Sequence, residues 1–323
     1  MPLVSVIITT YNRAGLLPKA IESVLAQTFQ DFELIVVDDG STDQTRQVVE
    51  AYRDARIRYL YQSNRGVSGA LNTGFAAAQS EFITQLDSDD CWEPELLATL
   101  LPEFEGHPEL GVVYARVQAM DDEGRPLAPI LGAPGHYPGQ VLASLLYGNF
   151  ICTIAAILRK DCYLQVGRLD ESLNGIEDLD IWIRLAQITQ FKFVNQVLAH
   201  YRVHTGRSTA KTSKSFATVV QRRFDLLNKV FSQPNLPPEA LAVKPLAYRN
   251  AHLDTALRWK SARQYRKMFS HFAQAVRVSP NRPATVGRIV FLILFYDVFS
   301  RYPATLRWVE RLTAWRRKGR RRL

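Results

Sequence analysis

The chain has 323 residues, of which 47% are hydrophobic, a composition that excludes a disordered protein and suffices for a large buried core. Its three cysteines lack metal-ligand spacing, which argues against a zinc site or a disulfide framework. Residues 1–210 carry 16 Lys and Arg against 26 Asp and Glu, whereas residues 211–323 carry 24 against 5. We therefore predict two regions, the first suited to metal and sugar chemistry and the second to an anionic surface.

Strands and helices alternate along the first 115 residues. Short β-branched or aromatic runs that are typical of buried strands occur at 4–10, 32–39, 56–62, 81–87 and 110–115. Amphipathic helical patterns lie between the first four runs, at about 15–27, 42–53 and 67–78. This alternation predicts an α/β fold with a mostly parallel sheet flanked by helices.

Three polar clusters follow strands of this sheet, namely TTYN at 9–12, DDGSTD at 38–43 and DSDD at 87–90. Because ligands of open parallel sheets bind outside the carboxyl ends of the strands, we expect the three clusters to meet at one edge. The Gly- and Pro-rich stretch 121–150 predicts a loop over that edge. Beyond it, the sequence predicts a strand at 153–160, a helix from about 176 and a strand at 191–204, with basic helical sequence from Ser213 onward.

The cluster LDSDD brings together the carboxylates of Asp87, Asp89 and Asp90. A helix that starts at Glu93 and Pro94 would need only one acid as its cap. Mg²⁺ and Mn²⁺ take carboxylate oxygens and complete their coordination with substrate phosphates. Three carboxylates at the end of a buried strand therefore favour a metal–diphosphate site over a simple cap.

Two further clusters leave alternatives open. VVDDGSTD fits a capped strand-to-helix turn, and Asp39 within it could equally accept hydrogen bonds from a base or ribose. GIEDLDIWIRLA places Glu177 and Asp178 at a helix start, where acids complement the helix dipole and where one could act as a general base. In YRVH, His204 is either a structural histidine or a metal or phosphate contact.

Six motifs in order over residues 3–208 resemble those of family 2 glycosyltransferases, which have the GT-A fold: VSVIITTYNR, VVDDGSTD, NRGVSGALNTG, LDSDD, EDLDIWIRL and YRVH. The resemblance implies an inverting enzyme that moves one sugar from a nucleotide-diphospho-sugar, with a UDP-sugar favoured, to a hydroxyl of a glycan or lipid-linked acceptor in cell-surface polysaccharide synthesis. Processive synthases of this family usually have several transmembrane helices and a Gln-x-x-Arg-Trp motif. The sequence shows neither, which favours a single addition.

The resemblance also implies roles for individual residues. Asp178 corresponds to the aspartate that acts as base, and Glu177 beside it positions the acceptor or the helix. Asp89 is the favoured ligand of a divalent cation, Mn²⁺ or Mg²⁺, and Asp87 and His204 belong to the same metal set. The implied donor-binding residues are Thr9, Tyr11, Asp39, Asn64, Gly66, Asn72, Asp87 and Asp90.

The basic C-terminal region contains the apolar stretch 286–299, which is too short and too interrupted by charge to span a membrane. This stretch is followed by two tryptophans and then by six Lys or Arg within residues 316–322. An anionic membrane surface and a helical subdomain or homodimer contact both fit this pattern, and nucleic acid is the least favoured partner. Because no signal peptide is visible, we expect a cytoplasmic protein. The basic C-terminal region leads us to expect it at the inner face of the membrane as a peripheral protein. The alternative function is a non-catalytic nucleotide-sugar-binding protein recruited through the basic tail.

Overall fold

The computed structural model describes residues 1–133, 135, 140–203 and 213–301. The chain forms two compact units: residues 1–125 and 130–243 make up the first, and residues 126–129 with the described residues from 244 onward make up the second. The boundary predicted at residue 210 lies outside the described residues.

The described strands and helices follow the predicted alternation through the fourth strand. The strands are β1 Val4–Thr10, β2 Phe32–Asp38, β3 Ile57–Tyr61, β4 Phe82–Asp87, β5 Cys91–Trp92, β6 Leu110–Met120, β7 Pro126–Leu131, β8 Ala156–Arg159 and β9 Gln190–Arg202. The helices are α1 Leu17–Leu25, α2 Thr45–Glu50, α3 Gly66–Ala77, α4 Leu96–Leu100, α5 Val141–Tyr147, α6 Lys160–Val166, α7 Glu177–Leu185, α8 Ser213–Phe231, α9 Pro238–Ala242, α10 Lys244–Ser261, α11 Tyr265–Val278 and α12 Arg282–Arg301.

The central sheet has the strand order β3-β2-β1-β4-β8-β6-β9-β5. Its first four strands are parallel, whereas β8 runs antiparallel to both of its neighbours. All seven residues of β2 are buried, as expected of a strand whose two faces are covered by helices. The predicted mostly parallel sheet flanked by helices is therefore confirmed.

Helix α3 lies unusually close to the sheet. A Cβ atom added at Gly74 would lie 2.5 Å from Cγ2 of Ile7 on β1 and 3.2 Å from Cγ2 of Val37 on β2. Because such distances are shorter than van der Waals contact allows, glycine is required for this approach. The packing fixes the N-terminus of α3 relative to the carboxyl ends of the two strands.

The loop predicted at 121–150 is wrong in part, since it contains β7 and α5. Helix α5 is apolar, and Leu142, Leu145 and Leu146 are buried. Its seven residues span only two turns, too few for a clear periodicity between glycines and prolines. The strand predicted at 153–160 is confirmed only over Ala156–Arg159, because a short 3₁₀ helix occupies Thr153–Ala155.

Helices α10, α11 and α12 belong to the second unit, and α8 and α9 belong to the first. Met268 and Phe272 of α11 and Ile289 and Leu292 of α12 are buried, so each of these two helices packs apolar side chains inward. Among the helices described, none combines the length and the apolar character needed to cross a membrane.

Candidate active site

The predicted polar clusters meet at the carboxyl edge of β2, β1 and β4. In the sheet register, Thr9 of β1 lies beside Val37 of β2 on one side and Asp87 of β4 on the other. Asp39 follows β2 directly, and its backbone N–H donates to the carbonyl oxygen of Thr10 at 2.9 Å. The sheet thus brings Thr9, Asp39 and Asp87 to the same edge, as the strand-end pattern predicts.

The three carboxylates of the acidic motif converge. One carboxylate oxygen each from Asp87, Asp89 and Asp90 lies within 4.8 Å of the others. One oxygen of Asp90 accepts a 2.7 Å hydrogen bond from the backbone N–H of Arg202. Its other oxygen, Oδ2, is buried and has no hydrogen-bond partner among the described residues. A buried carboxylate oxygen left without a donor suits a hard cation, so these residues fit a divalent metal ion.

Mutual repulsion marks this cluster as electrostatically strained. Burial, followed by the negative charges of Asp89 and Glu177, raises the pKa of Asp87 to about 7. Burial and the neighbouring charge of Asp87 also raise the pKa of Asp90 well above its ordinary value. The protein therefore holds more negative charge here than its own groups neutralise, and a bound cation would relieve the excess.

Two arginines hold the acidic motif. The sequence motifs predicted a role for neither of them. Arg13, three residues beyond β1, pairs with the Asp89 carboxylate at 2.6 Å. Arg202, at the end of β9, donates from Nε to the backbone carbonyl of Asp89 at 2.9 Å and from Nη1 to the carbonyls of Asp121 and Asp122. Arg202 thus clamps the turn that carries the carboxylates. The sequence signal for Arg202 was an arginine at the end of a predicted strand. In the structure this side chain is 97% buried.

A second acidic cluster stands at the N-terminus of α7. Oδ2 of Asp178 accepts a 2.7 Å hydrogen bond from Nδ2 of Asn149, and Glu177 accepts one from the backbone N–H of Gly175. Burial raises the pKa of Asp178, and burial with the charge of Asp178 raises the pKa of Glu177 to about 7. The negative charges of Glu177 and Asp178 both contribute to the raised pKa of Asp87, so the two clusters interact electrostatically.

Helix α8 packs against the loop that leads into α7. Nη1 of Arg222 donates to the backbone carbonyl of Asn174, and a Cβ atom at Gly175 would lie 3.1 Å from Cγ2 of Val219. The positive charge of Arg223 lowers the pKa of Asp178 and so opposes the effect of burial. The basic helical sequence, which was predicted to form a separate region, therefore contributes to the surroundings of the candidate base.

Asp39, just after β2, holds the connection between β3 and α3. Its Oδ1 accepts from Nε2 of Gln62 at 2.6 Å and from the backbone N–H of Arg65 at 2.9 Å, and its Oδ2 accepts from the N–H of Gly66 at 2.8 Å. Gly66 has a φ of +77°, a conformation that favours glycine. Asp39 therefore has a structural role, and its contact with a base or ribose stays a prediction.

The other predicted donor contacts differ in their exposure. Asn64 and Tyr11 are exposed near the same edge, and their donor contacts stay predictions. Asn72 is buried within α3, where Nδ2 donates to the carbonyl of Leu169 at 3.0 Å and Oδ1 accepts from the N–H of Leu169 and the hydroxyl of Tyr163. Its amide thus joins α3 to a distant segment, and a donor contact would be an additional role. His204 lies outside the described residues.

The raised pKa of Glu177 should make the stability of the fold depend on pH. Its pKa rises from the ordinary 4.5 to about 7 on folding, so between these values the folded protein binds more protons than the unfolded chain. The group therefore stabilises the fold at low pH, and each unit of rising pH across this interval lowers the free energy of unfolding by up to about 1.4 kcal/mol. We expect urea unfolding to show a steeper loss of stability from pH 5 to pH 7 in the wild type than in Glu177→Gln. The exposed Glu105→Gln is the control, and equal slopes for the wild type and Glu177→Gln would contradict the assignment.

Comparison with known proteins places this geometry in a family. The sequence model described as "Glycosyl transferase family 2" matches residues 5–163, a stretch that contains all but the first residue of β1, the whole of β2 to β4 and the acidic motif. The chain belongs to glycosyl transferase family 2. The predicted membership is therefore confirmed, and the family match ends before α7 and its acidic cluster.

One relative of this family 2 chain is the chondroitin synthase of Escherichia coli. The two are 29% identical over 235 residues, which cover 72% of this chain and 33% of the relative. The chain thus spans only about a third of the length of that enzyme. The similarity extends beyond the family match but leaves most of the relative's length without a counterpart.

Two solved structures share the GT-A fold of this family 2 chain. S. aureus TarS 1–349 in complex with UDP-GlcNAc superposes with a TM-score of 0.66 and 20% identity, covering 86% of this chain and 82% of that one. The mannosyltransferase PcManGT from Pyrobaculum calidifontis, in complex with GDP-Man and Mn²⁺, superposes with a TM-score of 0.61 and 19% identity, covering 93% and 83%. The predicted GT-A fold is therefore confirmed.

Proposed function

We propose that this protein is an inverting glycosyltransferase that transfers one sugar from a nucleotide-diphospho-sugar to a hydroxyl of a glycan or lipid-linked acceptor. The observation that carries the proposal is the pair of acidic clusters, one at the sheet edge and one at the start of α7, which interact electrostatically. Asp87, Asp89 and Asp90 converge closely enough to share a cation, and Asp178 lies in a separate cluster whose charge Asp87 senses. One cluster thus suits a metal–diphosphate and the other suits a base.

Asp87, Asp89 and Asp90 would hold Mn²⁺ or Mg²⁺, with Asp89 favoured as a direct ligand and His204 as a further candidate. Such a cation, when bound, supplies positive charge that stabilises the departing diphosphate. Binding of UDP-GlcNAc by TarS and of GDP-Man and Mn²⁺ by PcManGT supports a nucleotide-sugar donor and a divalent cation here. A UDP-sugar is the favoured donor. The name of the chondroitin synthase relative supports a role in polysaccharide synthesis.

Asp178 is the proposed general base. Its Oδ2 is held by Asn149, which fixes the carboxylate, and its raised pKa brings its basicity closer to neutral pH. The carboxylate takes the proton of the acceptor hydroxyl as the oxygen of that hydroxyl forms a bond to the anomeric carbon. The bond from that carbon to the diphosphate oxygen breaks at the same time, and attack from the opposite face inverts the configuration. Glu177 positions the acceptor or the start of α7.

A donor screen tests this proposal against the alternative of a non-catalytic nucleotide-sugar-binding protein. The full chain is incubated with UDP-, GDP- and dTDP-sugars and Mn²⁺, and free nucleoside diphosphate is measured. We expect release from one donor class and loss of that release with EDTA. Binding of a donor without release from any of them would favour the alternative, and release that is insensitive to EDTA would contradict the metal role.

We further propose that the second unit contacts the anionic inner face of the membrane. Val286, Val290 and Leu294 of α12 are exposed and recur at intervals of four residues, which places them along one face of the helix. In the sequence, the basic residues within 316–322 follow this helix. An exposed apolar helix face, followed in the sequence by clustered Lys and Arg, is typical of segments that bind anionic lipid.

Vesicle flotation tests the membrane proposal. We expect binding to vesicles of phosphatidylcholine with ~30% phosphatidylglycerol and much weaker binding to pure phosphatidylcholine. Leu294→Ser should lower the partition coefficient by about tenfold, whereas Leu164→Ser on α6 is a matched control because both leucines are 63% exposed. Equal effects of the two variants would contradict docking through α12. A dimer in light scattering that Leu294→Ser dissociates would favour the homodimer contact instead.

A further inference from the structure

We propose that Arg13 occupies the cation position of the acidic motif until the donor arrives, so that the protein binds a divalent cation well only together with a nucleoside diphosphate. The inference rests on the proposed cation site formed by Asp87, Asp89 and Asp90. It adds a residue outside that acidic motif, which competes with the metal ion for a carboxylate and thereby orders the binding steps.

The contact that carries the inference is an ion pair. Nη1 of Arg13 lies 2.6 Å from Oδ2 of Asp89, and the two side chains are only 18% and 16% exposed. Asp89 is the favoured metal ligand, so the guanidinium lies against the carboxylate that a cation would need. Because both groups are largely shielded from water, their attraction is stronger than that of a surface pair. Direct coordination by this oxygen requires the contact to lengthen or break.

The backbone on both sides of Arg13 is anchored to the turn after β2. Asn12 has a φ of +51°, its N–H donates to Oγ of Ser41, and its Oδ1 accepts from the N–H of Thr42. The N–H of Ala14 donates to Oδ2 of Asp43 at 3.0 Å. These bonds fix the Cα position of Arg13 beside the motif. Because the backbone is held, rotation of the long Arg13 side chain is the motion that would separate its guanidinium from Asp89.

Charge balance explains why a metal ion can replace the guanidinium. Arg13 brings one positive charge to three carboxylates that lie within 4.8 Å of one another, so negative charge stays in excess when all three are ionised. A divalent cation brings twice the charge and can bind several oxygens at once. The planar guanidinium that it displaces suits phosphate oxygens, which the donor brings to the same place. Arg13 thus opposes the metal alone and favours the metal with diphosphate.

Direct measurement of Mn²⁺ binding tests this ordering. Free Mn²⁺ is quantified by electron paramagnetic resonance during titration of the full chain, with and without UDP, for the wild type, Arg13→Gln and Arg13→Lys. The control is Arg56→Gln. Arg56 pairs with Asp54 at a distance of 2.7 Å, and neither residue belongs to the acidic motif. We expect Arg13→Gln to bind Mn²⁺ alone about tenfold more tightly than the wild type and to gain less affinity from UDP. Arg13→Lys should lie between them, and Arg56→Gln should match the wild type.

The outcomes separate this inference from the proposed function. Thermal melts first establish that each variant is folded. Unchanged or weaker Mn²⁺ binding by folded Arg13→Gln, in a protein whose wild type binds Mn²⁺ with UDP, would overturn the role of Arg13 and leave the donor site intact. Absence of Mn²⁺ and UDP binding by the wild type would overturn the proposed cation site and the inference with it.

Discussion

Replacement of Asp178 by asparagine should lower the turnover of sugar transfer by about 10²–10⁴-fold, the usual contribution of a positioned general base. Asparagine has nearly the same shape and can keep a hydrogen bond to Asn149 after rotation of its amide, but it cannot take up the proton of an acceptor hydroxyl. Donor binding should change little, because Asp178 lies in the cluster at α7 and not in the acidic motif at β4. Turnover and the dissociation constant of UDP, measured on the same preparation, check both parts.

The pH–rate profile gives an independent test of the same residue. Asp178 is active as a carboxylate, and burial raises its pKa, so turnover should fall on the acid side at a pH above the ordinary pKa of aspartate. The hydrogen bond from Asn149 favours the charged form. Asn149→Ala should therefore move the acid limb to higher pH. Wild-type turnover in Asp178→Asn, or an acid limb that Asn149→Ala leaves unmoved, would contradict the assignment of the base.

The sequence predicted which residues lie at this site better than it predicted the hydrogen-bond partners of those residues. The strand-end clusters at 9–12, 38–43 and 87–90 could be located because hydrophobic runs mark the strands, and parallel strands bring their carboxyl ends to one edge. Asn149 could not be found in this way. It lies in a stretch interpreted as a loop, and nothing in the local pattern indicates that it reaches a residue 29 positions away.

Long-range packing also explains why the roles predicted for some residues were incomplete. Asn72 was interpreted as a donor contact because it lies in a glycosyltransferase motif, yet its amide bonds to Leu169, 97 residues away. Arg202 holds the turn of the acidic motif across 113 positions. A motif specifies the type of residue and its neighbours in sequence, whereas these roles depend on which elements the fold brings into contact.

The largest effect on donor binding is expected for Asp89→Asn. Asp89 contributes an oxygen to the convergent set, and its carboxylate pairs with Arg13. Loss of a direct metal ligand should weaken Mn²⁺-dependent binding of UDP by at least about 100-fold, since even outer-shell changes typically cost 10–100-fold in metal affinity. Isothermal titration with UDP in the presence of Mn²⁺ measures this change, and EDTA should reduce the wild type to the level of the variant.

Asp90→Asn separates metal binding from support of the fold. The oxygen of Asp90 that accepts from the N–H of Arg202 can be retained as the amide oxygen of asparagine, whereas the buried oxygen without a partner becomes an NH₂ group. An NH₂ group cannot coordinate a cation and repels it. If that oxygen is a metal ligand, Asp90→Asn should lose UDP affinity nearly as far as Asp89→Asn while it unfolds at a similar urea concentration to the wild type. Retained UDP affinity in Asp90→Asn would restrict Asp90 to the clamp with β9 and leave Asp89 and Asp87 as the metal carboxylates.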